Sequence, residues 1–402
     1  MRLRILVLAL GTFALGTDNF VIAGILPAIA QTLAVSVAVS GLLVTVFSLT
    51  YVVASPLLAT LTGAVDRKRL LIVSLLLFVV ANVLAALAPN FGVLLVARVI
   101  AACGAALYTP TASAVAAMLA SPEKRGQALA LVTAGMTVSI VLGVPIGILV
   151  GTHFGWQMTF VLVAVLGALA TIGIMGLLPV VAGPPPASLG ARLALLRKPS
   201  IVVALGLTVI WMVGGFTVYT YIAPILQGIT HLGGAAISSL LFLFGVASVL
   251  GNMLGGYAAD RWGPVPTIAL GLAALAITLL VFPAVAVTVV GAGVALAIWG
   301  VAGWMLTPPQ QHRLLALAPA APGVILSLNG SASYLGIAGG AAIGSLVLHY
   351  APLFTLGWVG GTCEVIALVV LLLGVRGAHS RDERAAVVTE LANEVTHQTI
   401  GR

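Results

Sequence analysis

Apolar residues run through this chain in long blocks, and the polar residues fall mostly between them. The blocks are too long for buried strands and lack the alternation of half-exposed ones. A helix crosses the hydrocarbon of a bilayer with about 20 mainly apolar residues. On that measure there are twelve spans, at 5–30, 40–63, 70–89, 92–118, 126–151, 156–179, 200–227, 236–259, 265–286, 289–311, 322–348 and 353–375. In lipid each block must satisfy its own backbone, so each is helical. The longest polar connection, 181–199, holds Pro184, Pro185 and Pro186, then Arg192, Arg197 and Lys198. It divides the chain into a six-helix bundle over 1–180, a linker over 181–199 and a second six-helix bundle over 200–376. A polar tail over 377–402 is compatible with a short surface helix.

Composition turns that pattern into a class. Of 402 residues, 61% are hydrophobic and 6% charged, far too few charges for a soluble surface. The chain is an all-α, multi-pass membrane protein, with the lipid bilayer as its first partner. Its net charge of +8 reads as topology. Arg2, Arg4, Arg67, Lys68, Arg69, Lys124, Arg125, Arg192, Arg197, Lys198, Arg261, Arg313, Arg376, Arg381, Arg384 and Arg402 all fall on one side of the twelve-span layout. The opposite connections carry His153, His231 and His349 but no Lys or Arg. By the positive-inside rule both termini are cytoplasmic. The first block is longer than a signal-peptide core and reads as retained, in a cell (inner) membrane. Scarce lysine and abundant Ala, Gly and Val favour a GC-rich bacterial source.

Cys103 and Cys363 lie inside apolar runs and make neither a disulfide framework nor a metal spacing. No P-loop, dinucleotide fingerprint or His-Glu-x-x-His pair is present. We expect no metal, no cofactor, no nucleic-acid partner and no enzyme activity. The three outer histidines read as exposed loop residues.

The halves repeat. A shift of 193 maps Gly143, Gly147 and Gly151 onto Gly336, Gly340 and Gly344, and Gly63 onto Gly256; a shift of 194 maps Asp66-Arg67 onto Asp260-Arg261. Glycines four apart share one helix face, along which another helix can approach closely. Pro145 interrupts the first set and predicts a bend that the second set does not need. Two parallel halves with a site between them are a transporter plan.

Gly63-Ala-Val-Asp66-Arg67-Lys68-Arg69, its copy Gly256-Tyr-Ala-Ala-Asp260-Arg261-Trp-Gly263, Arg98 in the fourth span, Gly143-Val-Pro145-Ile-Gly147, Asp18-Asn19 and Leu328-Asn329 together resemble the major facilitator superfamily, specifically its twelve-helix drug:proton antiporter branch. The family loop usually has a small residue where Lys68 stands, and Ala102 replaces a frequent glycine after Arg98. Some relatives place the acid where Asn19 sits, which rotates it by about 100° from Asp18. The resemblance implies two pseudo-symmetric six-helix bundles. It makes Gly63, Asp66, Arg67, Arg69, Gly256, Asp260 and Arg261 parts of cytoplasmic gate loops. It also brings helix 5 against helix 8 and helix 2 against helix 11 across the halves. On that basis the Gly143–Pro145–Gly147 face is expected to seal one leaf of a cavity between the halves.

Asp18 lies deep in an apolar span, where an ionised carboxylate costs about 2.5–3.5 kcal/mol on insertion scales. It is a candidate proton carrier, or else a structural hydrogen-bonding group. Arg98, the one basic residue at depth, either pairs with Asp18 or braces carbonyls. Glu364 falls in helix 12, which the resemblance puts at the periphery, against lipid and away from a central site, with a transport role as the lesser alternative. Substrate-lining candidates are Asn19, Tyr51, Tyr108, Trp211, Tyr219, Tyr221, Asn252, Asn329 and Tyr334, with Trp299, Trp304 and Gln310 as further choices. Few charges at depth favour a neutral or weakly polar substrate. The expected protein is a secondary active exporter, functional as a monomer, that exchanges protons for a small, fairly apolar, drug-like compound. The alternatives are a sugar or nucleoside efflux carrier, a proton symporter for uptake and, from another class, a membrane-embedded enzyme or non-transporting receptor.

Overall fold

A computed structural model of the chain describes residues 2–63, 65–121, 124–181 and 189–374. Among the described residues twelve helices are long and apolar enough to cross a membrane. They are α1 (Leu3–Thr32), α2 (Val37–Leu61), α3 (Arg67–Ala86), α4 (Phe91–Leu119), α5 (Arg125–Phe154), α6 (Trp156–Leu177), α7 (Pro199–Tyr219), α8 (Gly234–Trp262), α9 (Pro264–Val285), α10 (Val289–Leu317), α11 (Pro322–Tyr350) and α12 (Thr355–Gly374). The expected spans agree with these within about three residues, apart from the seventh and the tenth, which runs on to Leu317 rather than 311. The tail over 377–402 with its surface helix, Pro184 to Pro186, and Arg376, Arg381, Arg384 and Arg402 lie outside the described residues.

Local chemistry sets the ends. Asp66 caps α3 by accepting from the Arg69 N–H at 3.0 Å, and Asn90 caps α4 by accepting from the Val93 N–H at 3.0 Å. Single glycines join α5 to α6 and α8 to α9: Gly155 at φ 91° and Gly263 at φ 89°, a region a side chain rarely tolerates.

The most extensive packing within α1–α6 joins α1 to α5 and α6, α2 to α4, and α3 to α4 and α6. Within α7–α12 it joins α7 to α11, α8 to α10 and α9 to α10. The repeated glycines serve equivalent contacts. A Cβ on Gly143 would strike the Thr17 hydroxyl, and one on Gly147 would lie 2.6 Å from Val21 Cγ2, so that face of α5 closes on α1. A Cβ on Gly336 would lie 2.6 Å from the Val209 carbonyl oxygen, and one on Gly340 2.7 Å from that of Val213, so α11 closes on α7. This corrects the expectation that the α5 glycines seal the two halves together. They face inward, onto α1. The edge of α5 that meets α8 is a different one: Ser238 Oγ donates to the Pro145 carbonyl at 2.9 Å, and a Cβ on Gly245 would lie 2.7 Å from the Ile140 carbonyl oxygen.

Prolines account for three irregular turns. Pro145 has no N–H and crowds the carbonyl four residues earlier; α5 takes this up as a π-helical turn over Ser139–Gly143. The seventh span was expected to run on to 227. Instead α7 stops at Tyr219, and a separate helix, Ile222–Thr230, follows. Pro224 stands four residues after Thr220, where a continuous helix would need its missing N–H. α10 is interrupted at Leu306, just before Pro308 and Pro309.

The two sets of six meet where α2 packs on α11 and α5 on α8. Their polar contacts gather at the end away from the basic connections. There Ser345 Oγ donates to the Ala38 carbonyl at 2.8 Å, and the Tyr221 ring leaves room for no side chain at Gly41.

Candidate functional site

Between the two sets lies a cavity of about 350 Å³. It is walled at its inner end by aromatic rings. Phe20 of α1 reaches across to Phe216, Tyr219 and Trp304, with ring centroids 6.1–6.3 Å apart. Tyr219 also meets Phe244 at 5.4 Å and Trp299 at 6.3 Å. From there the cavity runs toward the basic end, past Thr133 and Leu326 to the exposed Gln311. Its lining contains no Asp, Glu, Lys, Arg or His among the described residues.

Asp18 and Arg98 are brought together just behind this wall. Arg98 Nη1 donates to Asp18 Oδ2 at 2.6 Å, and both side chains are buried. The guanidinium also sits over the Phe47 ring, 4.3 Å from its centroid, where the π face favours a cation. The pair is incompletely satisfied: Asp18 Oδ1, Arg98 Nε and Arg98 Nη2 have no hydrogen-bond partner among the described residues. Such atoms cost about 1–3 kcal/mol each if left dry. Asn19, next to Asp18, lines the cavity. On the other side, Tyr51 of α2 stacks on Tyr334 of α11 with centroids 3.8 Å apart. The ion pair is thus linked through α2 to a ring of the opposite set.

Of the proposed lining residues, Asn19, Tyr51, Trp211, Tyr219, Trp299, Trp304, Asn329 and Tyr334 border the cavity. Tyr108 and Tyr221 do not; their hydroxyls donate to the Leu8 and Ala341 carbonyls, each at 2.9 Å. Gln310 ties α10 to α7, its Nε2 donating to the Ala204 carbonyl at 2.6 Å and to Thr208 Oγ1 at 2.9 Å. Thr208 in turn donates to Asn329 Oδ1 at 2.9 Å. Asn252 is half-buried on α8, away from the cavity lining. Phe20, Phe216 and Thr109 line the cavity without having been singled out. A phenylalanine in an apolar span looks like any lipid-facing residue; only the position of Phe20 directly after Asp18-Asn19 marked it.

The two Asp-Arg loops differ. The Asp66 carboxylate accepts from the Val181 N–H at 3.1 Å, the Arg67 N–H donates to the Val181 carbonyl at 3.0 Å, and Lys68 Nζ donates to the Met175 and Leu178 carbonyls at the end of α6. That places an ammonium on the negative end of a helix dipole. Gly63 is buried beside this loop. In the second copy Asp260 and Arg261 are exposed, Arg261 Nη1 donates to the Tyr257 hydroxyl at 3.0 Å, and Gly256 has only Pro308 at 4.0 Å from a would-be Cβ. The tight glycine there is Gly255, whose Cβ would strike the Met305 carbonyl.

Glu364 departs from its expected place against lipid. It is fully buried, facing α7, and a Cβ on Gly214 would lie 2.5 Å from its Oε1. Gly357, Gly360 and Gly361 of α12 pack on α7 and α9, with no room for side chains.

The chain is similar to known proteins over most of its length. The family model described as Major Facilitator Superfamily matches residues 8–341. "Uncharacterized MFS-type transporter YbcL" of Bacillus subtilis (strain 168) is 38% identical over 370 residues, 92% of this chain and 95% of that protein. "Inner membrane transport protein YdhP" of Escherichia coli (strain K12) is 33% identical over 383 residues, 95% and 98% of the two. Among solved structures, a bacterial homolog to the human lysosomal transporter Spinster, in an inward-facing and unoccupied conformation, superposes with a TM-score of 0.67 at 19% identity. It covers 92% of this chain and 94% of that one. At that identity the likeness concerns the fold.

Proposed function

The chain belongs to the major facilitator superfamily, and within it we propose a proton-coupled exporter of a small, uncharged, largely apolar compound. It is a membrane transporter rather than an enzyme, and it moves a small molecule across a lipid bilayer. The observation that carries the proposal is the Asp18–Arg98 pair, buried one residue from the cavity lining and only partly satisfied. Breaking a buried pair by removing one charge is costly, so a proton landing on Asp18 changes the energy of its whole surroundings. Arg98 must then find other acceptors, and its perch on Phe47 passes the change to α2 and the Tyr51–Tyr334 stack. That stack lies on the contact between the two sets, which rock against each other in alternating access. A proton entering from outside and leaving inside would drive the substrate the other way.

The uncharged aromatic lining supports a neutral, ring-bearing substrate, because a multiply charged one would need counter-charges that the cavity does not offer. The amides of Asn19, Asn329 and Gln311 support a second reading, a sugar or nucleoside efflux carrier. We place both termini and the open mouth of the cavity on the cytoplasmic side, following the basic connections. One chain holds both sets and the whole cavity, so a monomer suffices. Proteoliposomes under an imposed pH gradient test the reading. Candidate compounds should each release a proton flux, and Asp18→Asn should abolish it while leaving downhill exchange. Uphill transport by Asp18→Asn would remove Asp18 from the coupling.

A further inference from the structure

Asp18 has a counterpart that the repeat does not supply. The shift of 193 carries Asp18 onto Trp211, which lines the cavity and has no titratable group. One turn further along α7, at Gly214, a carboxyl does arrive, but from a different helix: Glu364 of α12.

We propose that Glu364 is a proton-exchanging site of the second set of helices, reached from the central cavity through the Gly214–Gly215 pair of α7. Three observations place it there. The carboxyl is completely buried, and neither oxygen has a hydrogen-bond partner among the described residues. It lies against the α7 backbone at Gly214, where a Cβ would be 2.5 Å from its Oε1. Gly215 borders the cavity, and no atom stands within 4 Å of where its Cβ would be. At this glycine pair only the α7 backbone, with no side chain on it, stands between the carboxyl and the cavity.

The surroundings offer no other explanation for an acid at this depth. α7 carries no Asp, Glu, Lys, Arg or His, and its one titratable side chain is Tyr219. α9 has none, and on α12 the only other is Cys363. With no cation on α7, α9 or α12 and no ion pair of its own among the described residues, Glu364 is an intramembrane acid without a charged partner there, a functional group by default. The exchange is a simple balance: a proton passes from a hydronium ion in the cavity to the carboxylate, leaving water and a neutral carboxyl, and returns by the reverse step. The proposal extends the proton-coupled reading, yet it can fail or hold independently of it.

Infrared difference spectroscopy of the purified protein tests it without any substrate. The carboxyl C=O band of Glu364 is assigned by its loss in Glu364→Gln and by its survival in Asp18→Asn. The expected result is a band present in acidic buffer that disappears on titration to alkaline buffer. Its deuterium shift in heavy water should be slowed at least roughly ten-fold by Gly215→Leu, which blocks water at the window. Gly215→Ala, a single methyl into open space, replaces the leucine variant if the latter does not fold, and should slow the shift to a lesser degree. A band that persists through the alkaline titration makes Glu364 a permanently neutral structural group and overturns the proposal. A deuterium shift indifferent to Gly215 overturns the route. Loss of coupled flux in Asp18→Asn with the Glu364 titration intact separates this site from the one above.

Discussion

In the first set of helices, the glycine face of α5 closes on an α1 that runs unbroken from Leu3 to Thr32, and the irregular turn belongs to α5. In the second, α11 carries the glycine face and is unbroken, while its partner α7 breaks at Thr220 and Tyr221. The packing is repeated, but the weak point has moved to the other member of the pair. In both cases it lies beside the cavity, at Ile140 in one and at Tyr219 in the other. The carboxylates follow the same division. The unbroken α1 holds Asp18 in an ion pair with Arg98, whereas the broken α7 is backed by an unpaired Glu364. The glycine contacts thus form tight seams, and each set places an irregular turn and a buried acid near the cavity.

The largest effect should come from the paired acid. Replacing Arg98 with Met leaves a buried carboxylate without its cation, a loss of about 3–5 kcal/mol on removing one partner. Thermal unfolding in detergent should show Arg98→Met as the least stable of the single variants. Glu364→Gln breaks no pair and should stay within about 1.5 kcal/mol of the parent. Equal losses from the two would erase the distinction between the sites.

Next come the prolines. Pro145→Ala and Pro224→Ala each restore a donor to their helix, with a gain bounded by about 3 kcal/mol, the difference between proline and alanine in a helix interior. Both variants should unfold at higher temperature and transport more slowly. Pro224→Ala should suffer the greater loss of transport, because the break it repairs adjoins Tyr219 and Thr220. Faster unfolding, or unchanged transport, would mean that the turns are not where the sets bend.

The seams themselves differ in hardness. A Cβ on Gly340 meets backbone, 2.7 Å from the Val213 carbonyl and 2.8 Å from the Thr217 nitrogen, and backbone cannot step aside. A Cβ on Gly143 meets the Thr17 hydroxyl, which has a second helical rotamer available. Gly340→Ala should therefore cost about 1–3 kcal/mol, as overpacking does, and Gly143→Ala about 1 kcal/mol for the hydrogen bond that Thr17 gives up. Chemical denaturation of the two variants side by side measures the gap; a larger loss at Gly143 would reverse the ranking.

Twelve spans were legible because each is a block of about the bilayer's thickness, and nothing in the surroundings can override that requirement. The repeat was legible in Gly143, Gly147 and Gly151 and their copies Gly336, Gly340 and Gly344, where close packing disfavours any side chain. Their direction was not: a helix face marked by Gly143 and Gly147 fits any close neighbour, and only the folded chain shows it turned to α1. The break in α7 could have been read from Pro224 four residues after Thr220, but apolar length concealed it. The burial of Glu364 had no local signal at all. It depends on Gly214 of another helix, 150 residues earlier in the chain, leaving space for it.

The smallest effect tests which end of the molecule is closed. Ser238 Oγ on the Pro145 carbonyl and Ser345 Oγ on the Ala38 carbonyl tie the two sets at the end away from the basic connections. Each hydrogen bond contributes about 1 kcal/mol net. Ser238→Ala also touches the α5 turn itself, because its acceptor is the proline that creates the turn. Removing it should shift the balance roughly five-fold toward the conformer open at that end, the equivalent of about 1 kcal/mol, with little change in unfolding temperature. Ser345→Ala, whose acceptor lies in the short first segment of α2, Val37–Ser40, should shift the balance equally while leaving α5 undisturbed. Spin-label distances across the two ends report the populations. A shift from Ser238→Ala alone would locate the control in the α5 turn, and equal shifts would assign it to the interface between the sets.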